Sequence, residues 1–77
     1  MASANYYLFA HIYEIPGARH ALLRGVPREL LADMNVSAMW SPLRRGFLVR
    51  SERMADVVAM LEYRDVVVRH HASEPKS

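Results

Sequence analysis

The side chains able to do chemistry here are four histidines, His11, His20, His70 and His71, and a large set of arginines. Nine of the ten basic residues are arginine, and the single lysine is Lys76. Guanidinium groups grip phosphate and carboxylate through paired N–H donors, although a GC-rich genome also enriches arginine without any such purpose. Arg44 and Arg45 fall together in a stretch holding Pro42 and Gly46. Arg50 and Arg53 follow closely, and Trp40 and Phe47 interleave with them. Arginine beside aromatic platforms is the chemistry of single-strand binding, worth roughly 1–3 kcal/mol per stacked base. The same residues also fit a purely structural role. In that case Trp40 and Phe47 pack under the second helix and the arginines are solvated turn residues.

The histidines form no recognisable catalytic set. Catalysis needs a nucleophile, a base and electrophilic support in one cleft. No serine is spaced with histidine and aspartate in a known pattern, and no glycine-rich phosphate loop occurs. His70 and His71 are neighbours on a predicted strand, so they point to opposite faces. His11 and His20 could approach across a hairpin. The chain has no cysteine, and no carboxylate spacing completes a metal site. The expectation is a protein that is not an enzyme, with no catalytic, cofactor-binding or metal residues.

These groups need elements to position them. Asn5 to Ile15 is rich in Tyr, Phe, Leu and Ile and predicts a strand. Tyr6, Leu8, Ala10 and Ile12 share one face, and Tyr7, Phe9, His11 and Tyr13 share the other. Neither face is polar, so the strand is either covered twice or covered on one side by a second subunit. Pro16-Gly17 predicts a turn. Residues 18–25 fit a returning strand or a helix of barely two turns, and the strand is favoured because so short a helix cannot stand alone. Pro27 suits the first position of a helix over Arg28 to Asn35, with Leu30, Leu31 and Met34 on its apolar stripe and Asn35 as its stop.

Val36 to Ser41 and Phe47 to Arg50 predict a hairpin, with Trp40 facing Phe47 across it. Ser51 is a candidate N-cap for a helix over Glu52 to Tyr63, whose Met54, Val57, Val58 and Leu61 follow the i, i+3, i+4, i+7 rule. Asp65 to His71 closes as a strand, and its run of valines predicts burial on both faces. The fold class is therefore α+β, a mainly antiparallel sheet with two helices in the order β-β-α-β-β-α-β.

Composition sets the remaining bounds. With 77 residues the chain makes one domain, read as 5–71, with residues 72–77 as a loose polar tail. A domain this small is marginally stable alone, and disulfides cannot help it. Hydrophobic residues reach 52%, and no apolar run approaches the roughly 20 residues needed to cross a bilayer. The start, MASANYYLF, lacks a basic region, so neither membrane insertion nor export is expected and the location is cytoplasmic. A formal net charge of +2 gives weak long-range steering toward nucleic acid. Five methionines, and Ala55, Ala59 and Met60 outside the main stripe of the second helix, suggest more apolar surface than one core consumes. Tyr6, Tyr7, Phe9, Tyr13 and Met60 are the candidate interface.

The stretch from Leu22 to Val68 carries a short pattern: Gly25-Val26-Pro27, then Trp40-Ser41-Pro42-Leu43-Arg44-Arg45-Gly46-Phe47-Leu48-Val49, then Ser51. It resembles short proteins of high-GC actinobacteria and their phages. More distantly it is similar to the HARP domain of annealing helicases, which also has an aromatic hairpin followed by a helix. It departs from the pattern where Val36-Ser37-Ala38-Met39 precedes Trp40. The resemblance implies the fold, and through the HARP domain it implies contact with branched or partly single-stranded DNA. The leading expectation is a small binding protein, a homodimer with a protein partner, host-directed if of phage origin. The alternative is a DNA-binding module using Arg44, Arg45, Arg50, Arg53 and Trp40.

Overall fold

The computed structural model describes residues 8–73. The elements are β1 (Phe9–Tyr13), β2 (His20–Arg24), α1 (Arg28–Asp33), β3 (Met39–Ser41), β4 (Gly46–Arg50), a 3-10 turn (Ser51–Arg53), α2 (Met54–Tyr63) and β5 (Val67–His71). The fold is α+β in the expected order. One five-stranded sheet runs β3-β4-β2-β1-β5. Its pairs are antiparallel except β1 with β5, which is parallel. From β2 to β5 the chain follows the β-α-β-β-α-β order of a split βαβ unit, with β1 wedged between β2 and β5.

Local chemistry sets the connections. Pro16-Gly17 forms a turn in which the Ala18 N–H donates to the Ile15 carbonyl at 3.1 Å and Gly17 has φ 78. A positive φ at this position is what a proline-led type II turn requires. Residues 20–24 are the returning strand, not a helix. Gly25 follows at φ 88, and a Cβ there would collide with the carbonyl of Phe9. Pro27 lies one step before its expected position: it is the extended residue preceding α1, at φ -71 and ψ 152. Asn35 takes φ 58 and stops the helix, as its side-chain type predicts.

The second hairpin is shorter than expected on its first arm. Only Met39–Ser41 pairs, while Val36 and Ala38 pack against the core instead. Trp40 does face Phe47, with ring centroids 5.0 Å apart at 67°. Ser51 is not an N-cap: it opens the 3-10 turn, and its N–H donates to the Arg19 carbonyl at 2.8 Å. The hydroxyl makes no capping bond, and what ties Ser51 in place is this backbone bond to the β1–β2 connection. Asp65 has φ 64 and ends α2, so β5 begins at Val67 and not at Asp65.

Both helices lie on one face of the sheet. Ala10, Ile12, Leu23, Phe47 and Val49 from the strands pack there with Leu31, Met34, Val57 and Leu61. Fully burying a Leu or Val side chain is worth about 1.5–3 kcal/mol. The opposite face has no layer of secondary structure over it among the described residues. The valine run is therefore covered on one side only: Val66 is buried and Val67 is 37% exposed, because β5 is an edge strand of a two-layer fold. No helix among the described residues is long and apolar enough to cross a membrane.

Candidate functional site

Residues directly opposite each other on a ladder share a face, so the strand registers define what the uncovered face presents. Phe9 pairs with Val67, His11 with Arg69 and Arg24, and Tyr13 with His71 and Leu22. Farther across, Leu22 and Met39 pair with Leu48, and His20 pairs with Arg50. The face is an aromatic and basic strip over β1 and β5, continued by apolar side chains over β2, β4 and β3.

The strip is ordered by ring and cation contacts. Tyr13 stacks on His71 with centroids 4.4 Å apart at 15°. His71 also meets His11, with Nε2 3.1 Å from Nδ1. The Arg24 guanidinium lies 5.5 Å from the Tyr13 ring centre, and that of Arg69 lies 5.7 Å from the ring centre of Phe9. Cation–ring contacts of this kind hold guanidinium planes near aromatic surface, and the Arg24 guanidinium also donates through Nε and Nη2 to the Arg44 carbonyl. Leu22 is fully buried at the middle of this otherwise open face. Gly46, diagonal to it on β4, supplies the space, since a Cβ there would sit 2.7 Å from the Leu22 Cδ1.

The electrostatics of the layers are segregated. None of the five strands contains an aspartate or glutamate. Among the described residues, Glu29, Asp33, Asp56 and Glu62 are on the two helices, and Glu14, Glu52 and Asp65 are in turns or connections. The sheet face carries Arg24, Arg69, His11, His20 and His71 with no carboxylate among them, and Arg50 at its corner is ion-paired to Glu52 at 3.6 Å.

The arginines singled out in the sequence do not form one cluster. Arg44 and Arg45 are at the β3–β4 tip, whereas Arg50 is the last residue of β4 and Arg53 ends the 3-10 turn after it, so Arg45 and Arg50 are about 17 Å apart along the strand. Arg53 is 3.9 Å from Asp56, and both its ion pair and that of Arg50 are more than half exposed, so neither adds much stability. Arg44 is engaged through its backbone: its N–H donates to the Ser41 hydroxyl, and its carbonyl accepts from Arg24.

Trp40 is on the helix side of the sheet with Phe47, lining a recess with Arg28, Leu31 and Val36 of the α1 region. It is 46% exposed, neither sealed core under the second helix nor part of the arginine-bearing face.

Of the candidate interface residues, Phe9 is 44% exposed on the open face and Tyr13 is half-buried there. Met60 is on the helix side, partly buried against the core. Tyr6 and Tyr7 lie outside the described residues.

His11 does not approach His20. The register sets His11 opposite Arg24, and the parallel β1–β5 pairing brings it to His71 instead. His70 is on the other face from His71, as adjacency on a strand requires. Sequence reasoning missed His11, His71, Arg24 and Arg69 as a group because only the registers of β1 with β2 and with β5 unite them. A partial signal was present: within the predicted strands the acidic residues are Glu14 and Asp65, both near a strand end.

Comparison of the chain with protein-family models, with curated proteins and with solved structures gives no match.

Proposed function

We propose that this is a small non-enzymatic binding protein whose uncovered sheet face takes a single-stranded nucleic acid. One observation carries the reading: a sheet face bearing arginine, histidine and aromatic rings, with no carboxylate in any of its strands. A polyanion meets no repulsion there. Arg69 reaches phosphates and Phe9 offers ring surface to a base, while Tyr13 and His71, stacked on each other, and Arg24, tied to the hairpin tip, hold the strip in place. Segregation of charge matters more than the net +2, because the partner sees one face and not the whole molecule. A cytosolic location is part of this proposal, as is the HARP-like resemblance. The test is NMR shift mapping with a mixed-sequence single-stranded oligonucleotide. Perturbations confined to β1, β2 and β5 support the reading, and perturbations confined to α1 and α2 overturn it.

A second reading keeps a protein partner, in the simplest case a second copy of the chain. It is favoured by Phe9 and Val67, exposed side by side on the same face. Two copies meeting there would oppose arginine to arginine, which counts against it. Light scattering over a concentration series decides: a single species of monomer mass at high micromolar concentration removes the homodimer.

A further inference from the structure

Trp40 is the single tryptophan of the chain, yet it is 46% exposed. It meets Phe47 edge-on and, with Leu31, Val36 and Ala38, walls a recess of about 310 Å3 on the helix side of the sheet. That volume is at the small end of the roughly 300–1,000 Å3 of ligand pockets, so it suits one large apolar side chain. Arg28 is the one charged residue lining it. Its guanidinium lies 5.9 Å from the Phe47 ring centre, and among the described residues it makes no ion pair. An apolar recess with such a cation at its rim selects an apolar group next to a carboxylate.

The recess adjoins an edge of the sheet. β3 is the last strand on its side and pairs only with β4. An edge strand presents main-chain N–H and C=O groups that no strand has taken up. Charge guards the other edge, where β5 carries Arg69, His70 and His71, but β3 is Met39-Trp40-Ser41 and has no charge of its own. Met39 is 58% exposed, and Leu43 at the hairpin tip is also open to solvent. The charges beside this apolar edge are Arg28 on α1 and Arg44 and Arg45 at the tip, while Glu29 and Asp33 of α1 do not line the recess.

We infer that the β3 edge and the Trp40 recess dock an extended acidic segment of a partner protein. The segment adds as a strand beside β3, places one large apolar side chain between Trp40 and Leu31, and sets a carboxylate on Arg28. Main-chain bonds along a three-residue strand supply little affinity, so the recess and Arg28 supply the selection. A nucleic acid fits this place less well, because the lining is largely aliphatic and one cation makes no track along a phosphate backbone. The recess is on the other side of the sheet from Arg69, so the inference is independent of the nucleic-acid reading.

The full chain is titrated with a capped pentapeptide alternating aspartate with phenylalanine, and with a second in which lysine replaces aspartate. Emission of the single tryptophan reads binding, and amide NMR shifts locate it. The expected result is saturable binding of the acidic peptide, at least ~10-fold tighter than the lysine peptide, with shifts in α1, residues 36–41 and Phe47. Arg28→Gln weakens the acidic peptide ~3–5-fold, the scale of one part-exposed charge pair, and does not weaken the lysine peptide. Ala32→Glu, on the exposed lip of the recess, weakens the acidic peptide at least ~10-fold, and Arg53→Gln binds it as the parent does. All three positions are exposed, and unchanged thermal melts confirm that the variants fold. The shift map of the unmodified chain decides independently of them. No saturation by about 1 mM peptide, equal affinity for the two peptides, full affinity in Arg28→Gln, or shifts confined to β1 and β5 overturns the docking site. Displacement of the acidic peptide by a single-stranded oligonucleotide that moves the same β3 amides assigns the recess to nucleic acid and overturns it as well.

Discussion

The guanidinium of Arg24 donates two hydrogen bonds to the carbonyl of Arg44, from Nη2 at 2.7 Å and Nε at 3.2 Å. This ties the tip of the second hairpin to β2. The arginine reaches it by crossing Gly46, where a Cβ would sit 3.0 Å from the Arg24 Cγ and 2.9 Å from the Leu23 carbonyl. Gly46→Ala should therefore lower stability by about 1–3 kcal/mol through overpacking. In a domain of this size that is a fall in Tm of roughly 4–8 °C per kcal/mol. Thermal melts followed by circular dichroism check it, and a Gly46→Ala protein melting with the parent would show that the crossing is loose.

Leu22 gives a sharper contrast. It points away from both helices yet is fully buried, held by Tyr13, Leu48 and the space above Gly46. Leu22→Ala should cost about 2–5 kcal/mol, as for any well-packed leucine. Leu43, 90% exposed at the hairpin tip, should tolerate alanine to within about 0.5 kcal/mol. Urea denaturation of the two variants separates these outcomes. Equal costs would mean that the open face is not packed as described.

Trp40 reports on which side of the sheet a ligand sits. It packs edge-on against Phe47 beside α1. Trp40→Phe should leave oligonucleotide affinity within about 2-fold of the parent, well under the 1.4 kcal/mol of a tenfold change. Fluorescence anisotropy with a labelled strand measures this. A loss of tenfold or more would return Trp40 to the binding site and move the contact to the hairpin.

Phe9 should behave in the opposite way. It is exposed beside Arg69 on the open face, and removing a ring that stacks on a base costs roughly 1–3 kcal/mol. Phe9→Ala should weaken strand binding accordingly while barely affecting the melting temperature. Unchanged affinity would exclude Phe9 as a stacking platform.

Much of this fold was legible in the sequence because local rules and tertiary context agree. Pro16-Gly17 turns the chain, Asn35 stops α1, and Met54, Val57 and Leu61 bury the stripe that α2 presents. The failures fall where a long-range pairing decides. Whether Val67 is covered depends on β5 being an edge, which its own residues do not encode. The site was hidden for the same reason. Proximity in sequence suggested grouping Arg44 and Arg45 with Arg50 and Arg53, yet β4 separates them. His11 and His71 meet only because β5 returns parallel to β1.

The most direct test of the basic sheet face is the salt dependence of single-strand binding, measured for the parent, Arg69→Gln and Arg53→Gln. Arg69 is exposed on the open face, whereas Arg53 lies beyond it beside Asp56. The account predicts measurable binding at about 50 mM salt and a log–log slope reduced by ~0.7 in Arg69→Gln, the value for one lost phosphate contact on a single strand. It predicts no change of slope in Arg53→Gln. No binding at low salt, or a slope that falls with Arg53 and not with Arg69, would contradict it.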